Sequence, residues 1–407
     1  MSQLKHLVKG LYGPLRYRKN FDLYPANLLD RNSQIVAVEV VRSQYDELAA
    51  KRHDNPVKEL QTILNPQASI KNDSRNSSKN KTSSTISKKA RKVTRTSTTI
   101  SGVETFIYTP QGFESSEKQN KAIFYHGGAW CFGSVKMHSQ FISAFAKAGN
   151  CQIYAPDYSK SPEQPFPVAL DQCKDVTKYL LEKYPDKTLN FVGDSSGGNF
   201  AASILHDLVQ VDSNQNLPKS VALIYPFLQV YRLYDSHLAP RALNSVFVPL
   251  VYLAALNYSG LEVNKTNLAY LQNLVENNEN DDSDLAKFLR NPRVSPLLAS
   301  NDVLKKVVDS GVKILIDTAE YDPLRQEANL YYDKLKNIEM ENSRGNVGSN
   351  VRSNIEIREA EGSVHCWAQV LAPTGNSHKL PIIGEVTPEN AMEVKKMLKS
   401  WSKMINK

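Results

Sequence analysis

Ser195 stands in the run Gly193-Asp194-Ser195-Ser196-Gly197-Gly198, with a glycine two residues to either side. A serine hydroxyl becomes a useful nucleophile only when a base can take its proton, so the run has meaning only with a histidine and an anion-holding site in reach. The preceding Leu189 to Val192 is a short apolar run of strand type, and Gly197 to Val209 shows helical spacing. Between a strand and a helix, Gly-x-Ser-x-Gly makes a sharp turn that exposes the serine. The glycines answer a steric demand, because side chains at those positions would press on the neighbouring strand and helix. Ser195 then offers its hydroxyl at a helix N-terminus, which favours developing negative charge. Ser196 does not fit the register, since Asp194 stands two places before it. Alone the match is weak: about 0.1 is expected by chance in a chain of this length. A glycine-rich turn can also cradle phosphate.

Three further runs fall at the ends of strand-like segments. His126-Gly127-Gly128-Ala129-Trp130 follows a strand ending at Tyr125. Its small residues let main-chain N–H groups approach an oxyanion, and Gly127, Gly128 and Ser196 are the expected donors. His126 is expected to brace the loop rather than to move protons. Ala319-Glu320-Tyr321-Asp322-Pro323-Leu324 follows the strand Lys313 to Ile316 and offers a carboxylate to orient a histidine; Asp322 is the choice, with Asp317 and Glu320 as competitors. Glu361-Gly362-Ser363-Val364-His365-Cys366-Trp367 supplies that histidine, His365, after the strand Ile355 to Ile357. Together they describe a nucleophile, a base, an orienting acid and an oxyanion site, with no metal or organic cofactor implied.

These groups need a scaffold. Strand-like runs occur at Val103 to Thr109, Ala122 to Tyr125, Cys151 to Ala155, Leu189 to Val192, Val221 to Tyr225, Lys313 to Ile316 and Ile355 to Ile357. Helical patterns occupy Gln140 to Ala148, Val168 to Lys183, Gly197 to Val209, Arg325 to Lys336 and Pro388 to Ile405, the last with Thr387 as N-cap. Continuous apolar strands alternating with helices predict an α/β fold, a mostly parallel sheet covered on both faces. Glu276 to Asp284 and Asn337 to Asn354 are polar and expected to be surface loops.

Charge narrows the partners. The chain has 407 residues with a net charge of +8, and Lys71 to Arg95 carries nine basic residues against one acid, so the remainder is neutral. A basic folded domain built for nucleic acid carries its charge on the packed body, so nucleic acid is not an expected partner. Ala68 to Thr99 has too few apolar residues to offset the entropy of ordering, which makes 69–100 an expected disordered basic linker. It separates a helical region, 1–68, from a catalytic domain, 101–407. The acid-free, amphipathic Met1 to Lys19 is expected first as a helix docked on the protein's own surface, with an organelle presequence or a membrane-surface helix as alternatives. It and the basic linker are the two places for peripheral membrane contact. The uncharged Ala242 to Leu261 has its apolar centre at Val246 to Leu256, with Pro249 inside, and is expected to be a buried or pocket-lining helix rather than a membrane span. Four widely spaced cysteines and no secretory signal favour a reducing, cytoplasmic setting, with organelle or membrane association left open. Nothing in the sequence sets the oligomeric state.

The four runs resemble the hormone-sensitive-lipase-like branch of the α/β hydrolases, which includes bacterial esterases and arylacetamide deacetylase, over Val103 to Lys407. The order Ser195, Asp322, His365 is that fold's order. Asp157-Tyr158-Ser159-Lys160-Ser161-Pro162-Glu163-Gln164-Pro165-Phe166-Pro167 and Ser295-Pro296-Leu297 are also similar to that branch. Ala129 stands where the branch has a third glycine, and Ser196 where it has alanine. The resemblance implies a carboxylesterase or deacetylase acting on small-molecule esters, short acyl or acetyl esters of apolar alcohols or sterols. It also implies a cap built from the N-terminal helices and an insert over about 231–293. His-Gly-Gly-Ala-Trp is similar to kynurenine formamidases too, which keeps amide hydrolysis as an alternative. A ligand receptor on the same fold is a further alternative, disfavoured by the presence of His365.

Overall fold

The computed structural model describes residues 92–406 apart from 115–118, 185–187, 212–215, 232–250, 278–280, 344–352, 369–378, 381–383 and 386–387. The expected N-terminal helices, the basic segment up to Arg91, the start of the 246–256 run and Thr387 lie outside the described residues. Eight strands form one sheet: β1 Val93–Ile100, β2 Val103–Pro110, β3 Lys121–Tyr125, β4 Gln152–Pro156, β5 Leu189–Asp194, β6 Ser220–Ile224, β7 Lys313–Ala319 and β8 Ile355–Ala360. Their order is β1-β2-β4-β3-β5-β6-β7-β8, antiparallel at β1-β2 and β2-β4 and parallel from β4 to β8.

Helices cover both faces. They are α1 Ser139–Gly149, α2 Val168–Lys183, α3 Ser196–Gln210, α4 over 251–259, α5 Lys265–Asn277, α6 Asp284–Arg290, α7 Asn301–Asp309, α8 Arg325–Ser343 and α9 Pro388–Ile405. Alternate residues of β3 serve opposite faces, as a strand's period of two requires. Ile123 and Tyr125 pack with Leu170 of α2 and Phe200 and Ile204 of α3, whereas Ala122 and Phe124 pack with Phe141 and Phe145 of α1 and Trp401 of α9. Burial on both faces explains why these strands read as unbroken apolar runs.

The parallel register aligns the strand ends that matter. Tyr125 pairs Gly193, Asp194 pairs Ile224, Ile224 pairs Asp317 and Ala319 pairs Ala360. The loops after β3, β5, β7 and β8 therefore emerge on one edge, where open α/β sheets bind ligands.

Two expectations are corrected. The linker assigned to 69–100 ends earlier, because Val93–Ile100 is a strand paired along its whole length with β2. Residues 94 to 99 are exposed, so main-chain bonding and Thr-rich β-propensity order this edge strand without apolar burial. The loop expected from Asn337 begins late, because α8 runs to Ser343. Asn342 holds its last turn by donating to Asp309 at 2.7 Å and accepting from Lys305 at 2.9 Å. The insert between β6 and β7 carries α4 to α6. From residue 251 the apolar run is helical, with Val251, Tyr252, Ala254, Ala255 and Leu256 buried. No helix among the described residues is long and apolar enough to cross a membrane.

Candidate active site

Ser195 sits between β5 and α3 with φ 53° and ψ −121°, a backbone conformation that side-chain-bearing residues rarely adopt. Two glycines make it possible. A Cβ on Gly193 would lie 2.1 Å from the carbonyl oxygen of Gly197, and one on Gly197 would lie 2.0 Å from that of Tyr125. The turn is fixed on its other side too: the Ser195 amide donates to the Ile224 carbonyl at 2.9 Å, and the Phe227 amide donates to the Ser195 carbonyl at 3.0 Å.

The Ser195 Oγ lies 3.0 Å from Nε2 of His365, and Nδ1 of His365 lies 2.8 Å from Oδ2 of Asp322. All three side chains are buried, Asp322 completely and Ser195 and His365 at 7% and 8% exposure. Burial works against charge on His365, but the Asp322 carboxylate and the adjoining Cys366 thiol overcome it and hold the ring well above the usual histidine range. Asp322 is steadied by the Leu324 amide, which donates to Oδ1 at 2.8 Å. The ring of Tyr225 stands edge-on to His365 with centroids 5.0 Å apart.

The two competing carboxylates are engaged elsewhere. Asp317 is buried against the guanidinium of Arg358, its register partner on β8. Glu320 accepts the Gly362 amide at 2.8 Å, which ties the loop after β7 to the loop that carries His365.

The oxyanion assignment needs one correction. The Gly127 amide donates to Oδ1 of Asp194 at 2.9 Å, so it is not available to a substrate. Gly128, Ala129 and Trp130 follow with φ of 133°, 50° and 61°, a tight turn of left-handed backbone. Gly128 cannot carry a side chain, since its Cβ would lie 2.0 Å from the Phe132 carbonyl oxygen. Among the described residues the amides of Gly128 and Ala129 donate to no other group, and Ser196 is the first residue of α3, where helix amides lack intrahelical acceptors.

Sequence reasoning expected His126 to brace this loop but missed the partners around it. His138, ahead of α1, places Nε2 3.5 Å from Oδ2 of Asp194. Burial opposes its protonation, and the Asp194 carboxylate outweighs burial, so its affinity for a proton is raised. His126 lies beside it with ring centroids 5.3 Å apart, stacked on Tyr158 at 4.2 Å. Burial, then Lys160 and His138, push His126 well below the usual range, which keeps it a neutral brace. Trp130 stacks on Tyr258 of α4, centroids 4.6 Å apart and planes 4° from parallel, and so joins the loop to the insert. Among the described residues no group of His, Cys, Asp and Glu is arranged to hold a metal ion.

The family profile of the alpha/beta hydrolase fold matches residues 122–369, which hold Ser195, Asp322, His365 and the loop after β3. The chain belongs to the α/β hydrolases. Its relatives include the versiconal hemiacetal acetate esterase of Emericella nidulans, 35% identical over 124 residues, which is 30% of this chain and 42% of that protein. Another is the arylacetamide deacetylase of Oryctolagus cuniculus, 32% identical over 148 residues, 34% of this chain and 36% of the relative. These matches span less than half the length of either relative. Among solved structures, a hyperthermophilic esterase from the archaeon Pyrobaculum calidifontis superposes with a TM-score of 0.55 over 99% of this chain and 98% of its own, at 19% identity. That likeness is one of fold. The arylacetamide deacetylase match agrees with the branch read from the motifs.

Proposed function

We propose that this α/β hydrolase is a serine esterase that cleaves carboxylic esters through an acyl-enzyme. The observation that carries the reading is the continuous chain from Ser195 Oγ to His365 Nε2 at 3.0 Å and from His365 Nδ1 to Asp322 Oδ2 at 2.8 Å. His365 takes the Ser195 proton as the oxygen attacks the carbonyl carbon, and Asp322 keeps the proton-bearing Nδ1 turned away from the serine and stabilises the imidazolium. The oxyanion is held by the amides of Gly128, Ala129 and Ser196 at the start of α3. The imidazolium then protonates the leaving alcohol, and water attacks the acyl-enzyme with His365 again as base.

The names of an acetate esterase and of a deacetylase among the relatives support short acyl groups. The aromatic contact of Trp130 with Tyr258 supports an apolar alcohol side, because the insert meets the loop through rings rather than charges. The deciding experiment is hydrolysis of p-nitrophenyl esters of rising acyl length by wild type and Ser195→Ala, with an aryl formamide in the same panel. Acetate should be the best substrate and Ser195→Ala inactive. Equal rates in the two proteins would remove Ser195 from the chemistry, and a preference for the formamide would make the enzyme an amidase.

A further inference from the structure

The chain leaves the sheet for the insert through Phe227 to Val230 and returns through Val294 to Leu297. Two buried polar side chains outside the Ser195, Asp322 and His365 cluster hold both passages. Glu327, in the first turn of α8 and shortly after Asp322, accepts the amides of Leu228 and Gln229 on one carboxyl oxygen. Asn199, on the first turn of α3 and shortly after Ser195, donates through Nδ2 to the carbonyls of Phe227 and Val294, both at 2.8 Å. One amide group thus bridges the outgoing and the returning chain. The passages also bind each other, the Leu297 amide to the Leu228 carbonyl at 3.0 Å and the Val230 amide to Ser295 Oγ at 2.9 Å. Ser295 Oγ in turn donates to Leu289 of α6 at 2.6 Å.

We propose that Glu327 and Asn199 are positioning residues that clamp the neck of the insert to the Asp322 turn and the Ser195 elbow, so that the insert keeps a fixed register over the reacting atoms. Removing either side chain takes a hydrogen-bond partner from buried main-chain groups of the neck, which favours any shift of the neck that restores hydrogen bonding. Burial pushes the Glu327 carboxyl well above the usual carboxylate range. Glutamine matches it in shape and keeps the acceptor. The kinetic consequence rests on the esterase reading: a substrate whose alcohol reaches the insert should sense the neck, and a small one should not.

The test uses the full chain as wild type, Glu327→Gln, Glu327→Ala and Asn199→Ala, with p-nitrophenyl acetate and the acetate of a four-ring alcohol. The alanine variants should raise KM for the four-ring acetate about tenfold or more while changing p-nitrophenyl acetate kinetics by less than about threefold, with Glu327→Gln following wild type. Amide hydrogen exchange at Leu228 and Gln229 should rise about tenfold or more in Glu327→Ala and stay at the wild-type rate in Glu327→Gln. Equal losses on both esters, a glutamine variant as damaged as the alanine one, or unchanged exchange overturns the clamp. If Glu327→Ala does not fold, the contrast between Asn199→Ala and Glu327→Gln decides the matter by the same readouts. If the wild type turns over neither ester, the esterase reading falls, and hydrogen exchange still decides the clamp.

Discussion

The main-chain amide of Gly127 donates to Oδ1 of Asp194 at 2.9 Å, which ties the loop after β3 to the residue immediately before Ser195. The second oxygen of the same carboxylate faces His138. Asp194 therefore sets the distance between the nucleophile and the amides that would receive the oxyanion. Asp194→Ala should lower kcat on p-nitrophenyl acetate by about 10²-fold, the scale of a lost oxyanion donor, with a smaller change in KM. Asp194→Asn retains an acceptor for Gly127 and should lose less. Steady-state kinetics on both variants, with circular dichroism to show retained fold, check this; equal loss in the two would assign the effect to charge rather than to the loop.

Ser195 is held at φ 53°, a region glycine enters freely. Ser195→Gly should abolish turnover, by at least about 10⁴-fold. It should also stabilise the fold by about 1 kcal/mol as the strain is released. Calorimetry of the variant beside Ser195→Ala, which keeps the strain, isolates the backbone contribution.

His365 must be neutral to act as base, and its surroundings raise its proton affinity. The rate kcat/KM should therefore rise with pH through an apparent pKa above about 6.5, the ordinary histidine value. Stability runs the other way. A histidine whose folded pKa is raised contributes stability that is complete below about 6.5 and lost as pH climbs through the folded value. Asp322→Asn should move the kinetic midpoint toward acid while lowering kcat by roughly 10⁴-fold. A pH–rate profile with a midpoint at or below that of free histidine would contradict the assigned environment.

His206 on α3 predicts a second pH effect with the opposite sign. Burial pushes it down to about 4, and its Nε2 lies 2.7 Å from the Tyr331 hydroxyl. Because the folded state holds the ring neutral, stability from this residue is complete above about 6.5 and lost as pH falls toward 4, roughly 3 kcal/mol in all. Denaturant titrations at pH 7.5 and 4 should show a correspondingly smaller acid loss in His206→Gln.

Much of the scaffold was legible because each sheet strand from β3 to β7 is sandwiched between helices, which buries nearly all of its five to seven residues and makes the strand mostly apolar. The edge strand β1 escaped because it buries almost nothing and is recognised by main-chain partners that a polar sequence does not announce. Ser195 was legible from its glycines. Choosing Asp322 over Asp317 was only a choice of loop position, and the physical reason lies across the sheet: Arg358 stands beside Asp317 on β8, a neighbour no linear spacing reveals. The same holds for Gly127, whose amide is claimed by Asp194, 67 residues away. α6 and α7 carried readable signals, Ser283 and Ser300, whose hydroxyls accept the Ala286 and Val303 amides as N-caps.

The stack of Trp130 on Tyr258 has an optical meaning. The chain has three tryptophans, and the other two, Trp367 and Trp401, are buried in the cluster on the opposite face of the sheet. Among the described residues Trp130 is the indole stacked on the insert, and separating it from the tyrosine would place it in a new environment, while Trp401 stays packed between α1 and α9. The protein carries its own fluorophore at the junction of loop and insert, so displacement of the insert by an occupying molecule can be followed as a change in intrinsic emission, without a label and without turnover.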